Sequence, residues 1–238
     1  MQEMAIKGTH ERVMKVLESV VQPRAGTRVL DVGAGQGAFS KRLERAGLSV
    51  SACDVEPEQF QVTGIECRQV GAGGALPYGD ATFDLAVAVE VMEHIDGHDR
   101  FFAEIARVLK LRGVFLFTTP NILSLKSRMM FLFTGRFYSF PPLEFARRDP
   151  TAQHISAFTL DRHAWLLSQH NLRVIHVGTD KVQTTSRLLA FLVPFIKLAE
   201  PRSGRTAAAG GGPNSRVALF GRKLVVLARK EERDCRDG

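Results

Sequence analysis

The sequence predicts an α/β protein built on a doubly wound parallel sheet of seven strands. Short apolar, β-branched runs alternate with helical segments along the 238 residues, which favours a sheet with helices on both faces. One run leads directly into three closely spaced glycines, a pattern typical of a ligand-binding turn at the carboxyl end of a strand. A composition of 45% hydrophobic and 24% charged residues suits a globular protein, and we expect a single domain over residues 1–238.

The predicted elements begin with a helix at about residues 9–21. Strands follow at about 28–32, 49–53, 65–70, 83–89 and 113–119, with helices between them, and two strands at 172–177 and 223–228 complete the sheet. Helical insertions are expected after the fifth and sixth strands. The first, at 121–150, is expected to cover the substrate. The second, at 181–216, combines an apolar helix with a loop whose Gly, Ala and Ser content over 201–216 predicts mobility.

The glycine-rich turn after the first strand carries the strongest functional signal. Gly33, Gly35 and Gly37 let the backbone turn sharply and approach a ligand without interference from Cβ atoms. Their G-x-G-x-G spacing differs from the dinucleotide fingerprint G-x-G-x-x-G, and Asp31 before them would repel a pyrophosphate. The same carboxylate suits a ligand with an ammonium group. Asp54, at the end of the second strand, is placed to accept hydrogen bonds from a ribose diol.

Several ordered motifs resemble those of the class I S-adenosylmethionine-dependent methyltransferases. They lie at residues 29–37, 50–54, 76–78, 83–85 and 107–113, and the resemblance covers roughly residues 10–180. It implies the Rossmann-like methyltransferase fold, in which the last strand is antiparallel and the sheet is therefore mostly parallel. It also implies an enzyme whose cofactor, S-adenosylmethionine, is bound by Asp31, Gly33, Ala34, Gly35, Gly37, Asp54, Val55, Ala72, Leu76 and Glu90.

The segment after the third strand departs from this family. Many members place an acid there to accept a hydrogen bond from the adenine amino group, but residues 70–77 contain no acid. Adenine would then be held by backbone groups and by apolar contacts from Ala72 and Leu76, or by Asp80 turning toward it. The departure concerns the adenine contacts and leaves the cofactor assignment unchanged.

A second group of polar residues follows the predicted fourth strand. Glu90, Glu93 and His94 offer oxygen and nitrogen atoms that can bind one divalent cation. The same E-x-x-E-H pattern also occurs in methyltransferases without a metal, where Glu90 helps to shape the adenosine pocket. His154 lies shortly before a helix predicted to begin near Leu160. Its alternative roles are to cap that helix or to line the substrate pocket.

These strings resemble two metal-using branches of the superfamily, the ubiquinone-pathway O-methyltransferases and the small-RNA 3′-terminal 2′-O-methyltransferases. Both branches also share a turn like the one at residues 119–121, and bacterial glycan methyltransferases have similar motifs. The resemblance implies that a divalent metal such as magnesium is bound by Glu90, Glu93, His94 and His154, lowering the pKa of an acceptor hydroxyl. Without a metal, the catalytic base would be His94 or His154.

Three other histidines are assigned by position. His98 and His163 are expected at the surface or on helix faces, and His10, before the first helix, is a candidate for a lid over the cofactor.

Two apolar segments with basic residues, at 122–142 and 188–196, indicate the type of acceptor. Such segments suit an interfacial helix on an anionic membrane or a cover over a lipid-linked substrate, and the alternative is a buried cover helix. The net charge of +7 is dispersed rather than gathered in a stripe, which disfavours a nucleic-acid partner. The three cysteines show no metal or redox spacing, and no signal-peptide core or membrane-spanning run is evident. A cytoplasmic protein with peripheral membrane contact is therefore expected.

The predicted function is O-methylation of a small or lipid-linked hydroxylated acceptor, such as a polyprenyl phenol or a glycan. An RNA 2′-O-methyltransferase and a cofactor-binding partner protein without transfer activity stay open as alternatives, and the motifs alone do not distinguish O-methylation from N- or C-methylation.

Overall fold

A computed structural model describes residues 8–147, 149–199 and 212–232. Its centre is one seven-stranded sheet in the order β3-β2-β1-β4-β5-β7-β6. All neighbouring strands pair in parallel except β7, which runs antiparallel to both β5 and β6. The strands are β1 Arg28–Val32, β2 Ser49–Asp54, β3 Cys67–Gln69, β4 Phe83–Ala88, β5 Leu109–Pro120, β6 Leu172–Thr179 and β7 Lys223–Lys230. The predicted fold class is confirmed, including the antiparallel last strand.

Helices cover both faces of the sheet because alternate side chains of its buried strands point in opposite directions. On β5, Phe115 and Phe117 belong to one core cluster, while Val114 and Leu116 belong to the other. The principal helices are α1 Thr9–Val20, α2 Ala38–Arg45, α3 His98–Val108, α4 Leu125–Thr134 and α5 Leu160–Gln169. The first cluster packs against α3 and α5, and the second against α1 and α2.

The fifth strand begins earlier than the sequence predicts, at Leu109 rather than near residue 113. The chain passes from α3 directly into the strand, and the pairing with β4 shifts register between Phe83 and Leu85. Arg112, in the added segment, has a left-handed backbone with φ 63°. Such an irregularity leaves little trace in an apolar pattern, which explains the displaced boundary.

Two helical insertions follow β5 and β6, as predicted. The first contains α4, whose amino end is capped by the Ser124 hydroxyl accepting from the Ser127 amide. The second contains α6 Thr184–Leu188, a 3₁₀ turn at Leu189–Leu192, α7 Val193–Leu198 and α8 Arg216–Phe220. Most of the mobile loop predicted over 201–216 lies outside the described residues, and its end forms the Ser215 cap of α8. Within the described ranges, no helix combines the length and apolarity needed to cross a bilayer.

Candidate functional site

The glycine turn after β1 lies against the ends of two neighbouring strands. The amides of Gly33 and Ala34 donate to the Cys53 carbonyl oxygen at 2.9 and 3.2 Å. Gly33 has φ 71°, and a Cβ atom built on it would lie 2.5 Å from Cγ2 of Val91. The turn therefore needs glycine at this position for two reasons, the left-handed backbone and the close contact.

Asp31 points into a cleft of about 310 Å³ beside this turn. It is 2% exposed, and one carboxylate oxygen accepts a 2.6 Å hydrogen bond from the Ser40 hydroxyl. Burial raises the pKa of Asp31 to about 7, and the nearby charge of Asp54 acts in the same direction. A buried carboxylate in this position is stabilised by a cation in the cleft.

Asp54 supports the glycine turn from the end of β2. Its two carboxylate oxygens accept hydrogen bonds from the amides of Gly35, at 2.8 Å, and Glu56, at 3.0 Å. Each oxygen keeps a further lone pair, so the ribose contact that the sequence predicts stays a prediction. Val55, beside it, is half exposed.

The cleft gathers part of the predicted cofactor set. Its lining includes the predicted residues Asp31, Gly33, Ala34, Gly35 and Glu90, and adds His10, Gln36, Ala38, Phe39, Val89 and Lys223. Gly37 lies behind the turn as the residue preceding α2. His10 lines the cleft from the first turn of α1 rather than from before that helix, and its ring centroid is 5.1 Å from that of Phe39; its role as a lid stays a prediction.

The residues assigned to adenine lie outside the cleft lining. Ala72 is exposed in a 3₁₀ turn, whereas the Leu76 side chain is buried in the core. The carboxylate of Asp80 is paired with Arg107 at 2.8 Å. Its turning toward adenine stays a prediction.

Glu93, His94 and His154 converge at the edge of the same cleft. One ligand atom from each lies within 4.8 Å of the other two, and the two imidazole centroids are 5.0 Å apart. Nδ1 of His94 contacts the Gln153 carbonyl at 2.8 Å, and Nδ1 of His154 contacts the Ser139 carbonyl at 2.6 Å. A carbonyl oxygen only accepts, so both Nδ1 atoms carry a proton, and in a neutral imidazole Nε2 is then the atom with the lone pair. Metal-binding histidines are oriented in this way.

Glu93 completes the cluster from a buried position. It is 1% exposed, and burial raises its pKa to about 7. Its Oε2 atom is buried without a hydrogen-bond partner in the described part of the chain. The Glu93 carbonyl accepts from the amides of Ile155 and Ser156, and these bonds fix the neighbouring His154 beside it. The oxygen donor and the two nitrogen donors are thus held together by the backbone.

Glu90 lies apart from this cluster, although the sequence grouped it with the other three residues. Its backbone is left-handed, with φ 62°, and its amide donates to the Thr118 hydroxyl at 2.8 Å. Its carboxylate forms an ion pair with Lys223. Lys223 could not be identified from sequence, because the pairing of β5 with β7 places it opposite Pro120, a contact that no local pattern predicts.

Two expectations about other histidines need correction. His98 and His163 do lie on helix faces, but they are 2% and 1% exposed rather than at the surface. The capping role considered for His154 is also wrong, since the Thr159 hydroxyl caps α5 by accepting from the Arg162 amide.

Comparisons with known proteins agree with this architecture. A family model described as a methyltransferase domain matches residues 6–177. The demethylmenaquinone methyltransferase of Tropheryma whipplei (strain Twist) is 34% identical over 95 residues, 37% of this chain and 40% of that protein. The ubiquinone biosynthesis O-methyltransferase of Paramagnetospirillum magneticum is 31% identical over 113 residues, 44% of this chain and 45% of that protein. The chain thus spans less than half the length of these two relatives.

A solved structure of a SAM-dependent methyltransferase from Archaeoglobus fulgidus has the same fold. It matches with a TM-score of 0.60 and 16% identity, covering 93% of this chain and 94% of that one. The family match extends over more than half of the sequence and includes the glycine turn, Asp31 and the cluster of Glu93 and His94. The chain belongs to the methyltransferase domain family and has the fold of the class I S-adenosylmethionine-dependent methyltransferases.

Proposed function

We propose that the protein transfers a methyl group from S-adenosylmethionine to a hydroxyl of a small or lipid-linked acceptor, assisted by a divalent metal. The observation that carries this proposal is the convergence of Glu93, His94 and His154 in the same cleft as Asp31 and the glycine turn. One side of the cleft suits the cofactor, and the other suits an oxygen nucleophile.

The cofactor fits the residues present. Asp31 offers its buried carboxylate to the ammonium group of the methionine portion, and the glycine turn lets the cofactor approach the backbone closely. Asp54 keeps lone pairs for the ribose hydroxyls. S-adenosylmethionine, when bound, supplies an electrophilic methyl group, so the chain mainly needs to align the acceptor and exclude water.

A metal also fits the cluster. Two imidazole nitrogens and one carboxylate oxygen suit a borderline or hard divalent cation, and the buried, unpartnered Oε2 of Glu93 is an oxygen that a cation would satisfy. A bound cation would lower the pKa of the acceptor hydroxyl. Glu93, His94 and His154 would hold it, while Glu90 stays with Lys223. If no metal binds, the lone pair on Nε2 of His94 or His154 makes either residue a candidate base.

The class of acceptor is inferred from two features. The two curated relatives named above carry quinone-pathway names, and the insertion after β5 brings apolar side chains to the cleft, with the Phe140 ring centroid 5.7 Å from that of His154. A polyprenyl phenol, whose head is aromatic and whose tail is apolar, suits such a cover. The same acceptor would bring the enzyme to a membrane surface.

The test is calorimetric titration of the full chain with S-adenosylhomocysteine, in EDTA and in added magnesium. Wild type should bind the nucleoside in both, and should show a separate magnesium heat that Glu93→Gln and His154→Ala remove. Glu90→Gln is the matched control, because this acid lies outside the cluster and its loss should spare the metal signal. Failure to bind S-adenosylhomocysteine in any condition would overturn the cofactor assignment. Binding of S-adenosylhomocysteine without any heat of magnesium binding would refute only the metal part of the proposal.

A further inference from the structure

The two insertions carry most of the large hydrophobic side chains that are exposed in the described part of the chain. Fourteen large hydrophobic side chains are exposed in the described part of the chain, and eleven of them lie within residues 130–145 and 182–198. We call these eleven side chains the apolar face. Phe133 is 77% exposed, Phe145 98% and Leu198 86%. Groups of exposed large apolar side chains mark interaction surfaces on soluble proteins.

The two insertions are in contact. Helix α4 of the first contacts both α6 and the 3₁₀ turn at Leu189–Leu192 of the second, so we infer that their exposed side chains belong to neighbouring surfaces. Phe131 and Phe137 stack with ring centroids 4.6 Å apart, which adds to the aromatic content of the first insertion. The sequence could not decide between a buried cover helix and an exposed one, and here the apolar side chains are exposed.

Basic residues outnumber acidic ones in the two segments that carry the apolar face. Within residues 125–147 and 181–199 the only acid is Glu144, whereas the basic residues are Lys126, Arg128, Arg136, Arg147, Lys181, Arg187 and Lys197. Large apolar side chains bordered by lysine and arginine are the features of a segment that binds at the surface of an anionic bilayer.

A short segment after α4 links that helix to the cluster of Glu93, His94 and His154. The Tyr138 amide donates to the Ser127 hydroxyl of α4, and the next residue, Ser139, accepts from His154. Only one short segment of chain therefore separates α4 from the cluster, so a molecule that leaves a bilayer beside α4 is close to the cluster. We propose that the apolar face docks the protein on an anionic lipid surface and presents the cleft to acceptors held there. The presentation of the cleft to acceptors rests on the proposed function, but docking on the lipid surface does not.

The experiment is flotation of the 238-residue chain with phosphatidylcholine vesicles, with and without phosphatidylglycerol. Binding should require the anionic lipid. The double variant Phe133→Ser with Phe195→Ser should bind at least about tenfold more weakly, because two large apolar anchors are lost. Arg187→Gln with Lys197→Gln should lose roughly fivefold per charge removed. The matched control is Trp165→Ser, which removes a 60% exposed apolar side chain on α5, outside the apolar face.

Three results would overturn the docking proposal. One is wild-type protein that stays unbound with anionic vesicles, and another is equal binding by the phenylalanine double variant and the Trp165→Ser control. The third is the combination of no vesicle binding with a dimer that light scattering detects without lipid and that the phenylalanine double variant dissociates. The partner of the apolar face would then be a second copy of the chain. Titration of each variant with S-adenosylhomocysteine separates the two proposals. Retained nucleoside binding with lost vesicle binding supports docking by a separate surface, whereas vesicle binding without nucleoside binding refutes only the proposed function.

Discussion

Two buried histidines should make the protein sensitive to mild acid. His98 of α3 and His163 of α5 have ring centroids 5.4 Å apart, and both pack against Phe158 and Phe102. Burial lowers the pKa of His98 to about 4, although backbone groups near Asp96 partly oppose the shift. Burial, and then the charges of His98 and Arg162, lower the pKa of His163 to about 3.

The magnitude follows from the difference between folded and unfolded chains. An unfolded histidine has a pKa of 6.5, so near pH 5 the unfolded chain binds both protons and the folded chain binds almost none. The two buried histidines therefore cost no stability through protonation above the unfolded pKa. The unfolding free energy falls as the pH drops from the unfolded pKa toward the folded values. Linkage gives a loss of about 2 kcal/mol per histidine between about pH 7.5 and about pH 5, or about 4 kcal/mol for the pair. Because both folded values lie below this range, the result depends mainly on the unfolded pKa.

The assay is urea unfolding of the full chain at both pH values, comparing wild type with His98→Leu, with His163→Leu and with the double variant. Each leucine should reduce the pH-dependent loss of unfolding free energy by about 2 kcal/mol. Phe102→Leu is the control, since it disturbs the same cluster without removing a titrating group and should lower stability equally at both pH values. The comparison must be made between variants, because the raised pKa values of Asp31 and Glu93 favour the folded state as the pH falls. If the double variant loses as much stability as wild type on acidification, the reasoning is wrong.

Three further predictions concern the site and its supports. Gly33→Ala combines a left-handed backbone with a collision against Val91, so affinity for S-adenosylhomocysteine should fall at least about tenfold, and unchanged affinity by calorimetry would contradict the role of the turn. Arg107→Gln removes the ion pairs with Asp80 and Glu104 and hydrogen bonds to backbone carbonyls between the third and fourth strands, which should lower the unfolding free energy by about 1–2 kcal/mol in urea. Lys223→Met leaves the Glu90 carboxylate without its ion pair and should cost roughly 1–3 kcal/mol. Adding Glu90→Gln should restore most of this loss, and a lone Lys223→Met as stable as wild type would show that the pair contributes nothing.

The fold could be predicted because its signals are local. Most strands contain a short apolar run, most of the principal helices have an apolar face, and the order of these elements along the chain favours a parallel sheet. The antiparallel direction of β7 came only from family resemblance, since one strand's pattern does not define its neighbours. The boundary of β5 was missed for a related reason. Its first residues pair with β4 across a register shift, and that pairing depends on the partner strand.

The candidate site was predictable in part. Asp31 and the glycine turn are adjacent in sequence, so their shared cleft follows from one strand and one turn. Glu93 and His94 are also adjacent, and His154 could be added by resemblance alone. Lys223 and His10 were harder to assign, because they reach the cleft from opposite ends of the chain. The burial of His98 and His163 was missed because a polar residue on an apolar helix face carries no sign of how deeply the face is packed.

The turn between β4 and α3 couples the two halves of the proposed site. Val91 contacts the position where a Cβ atom of Gly33 would lie, so this turn limits the shape of the cofactor loop. Two residues later, the Glu93 carbonyl holds the segment that carries His154, so the same turn also fixes the cluster of metal-binding candidates. A left-handed residue, Glu90, starts the turn and is anchored to Thr118 of β5 and to Lys223 of β7. The distance between the methyl donor and the acceptor hydroxyl is therefore expected to depend on the strand order itself, because both sides of the cleft are fixed through one short turn at the centre of the sheet.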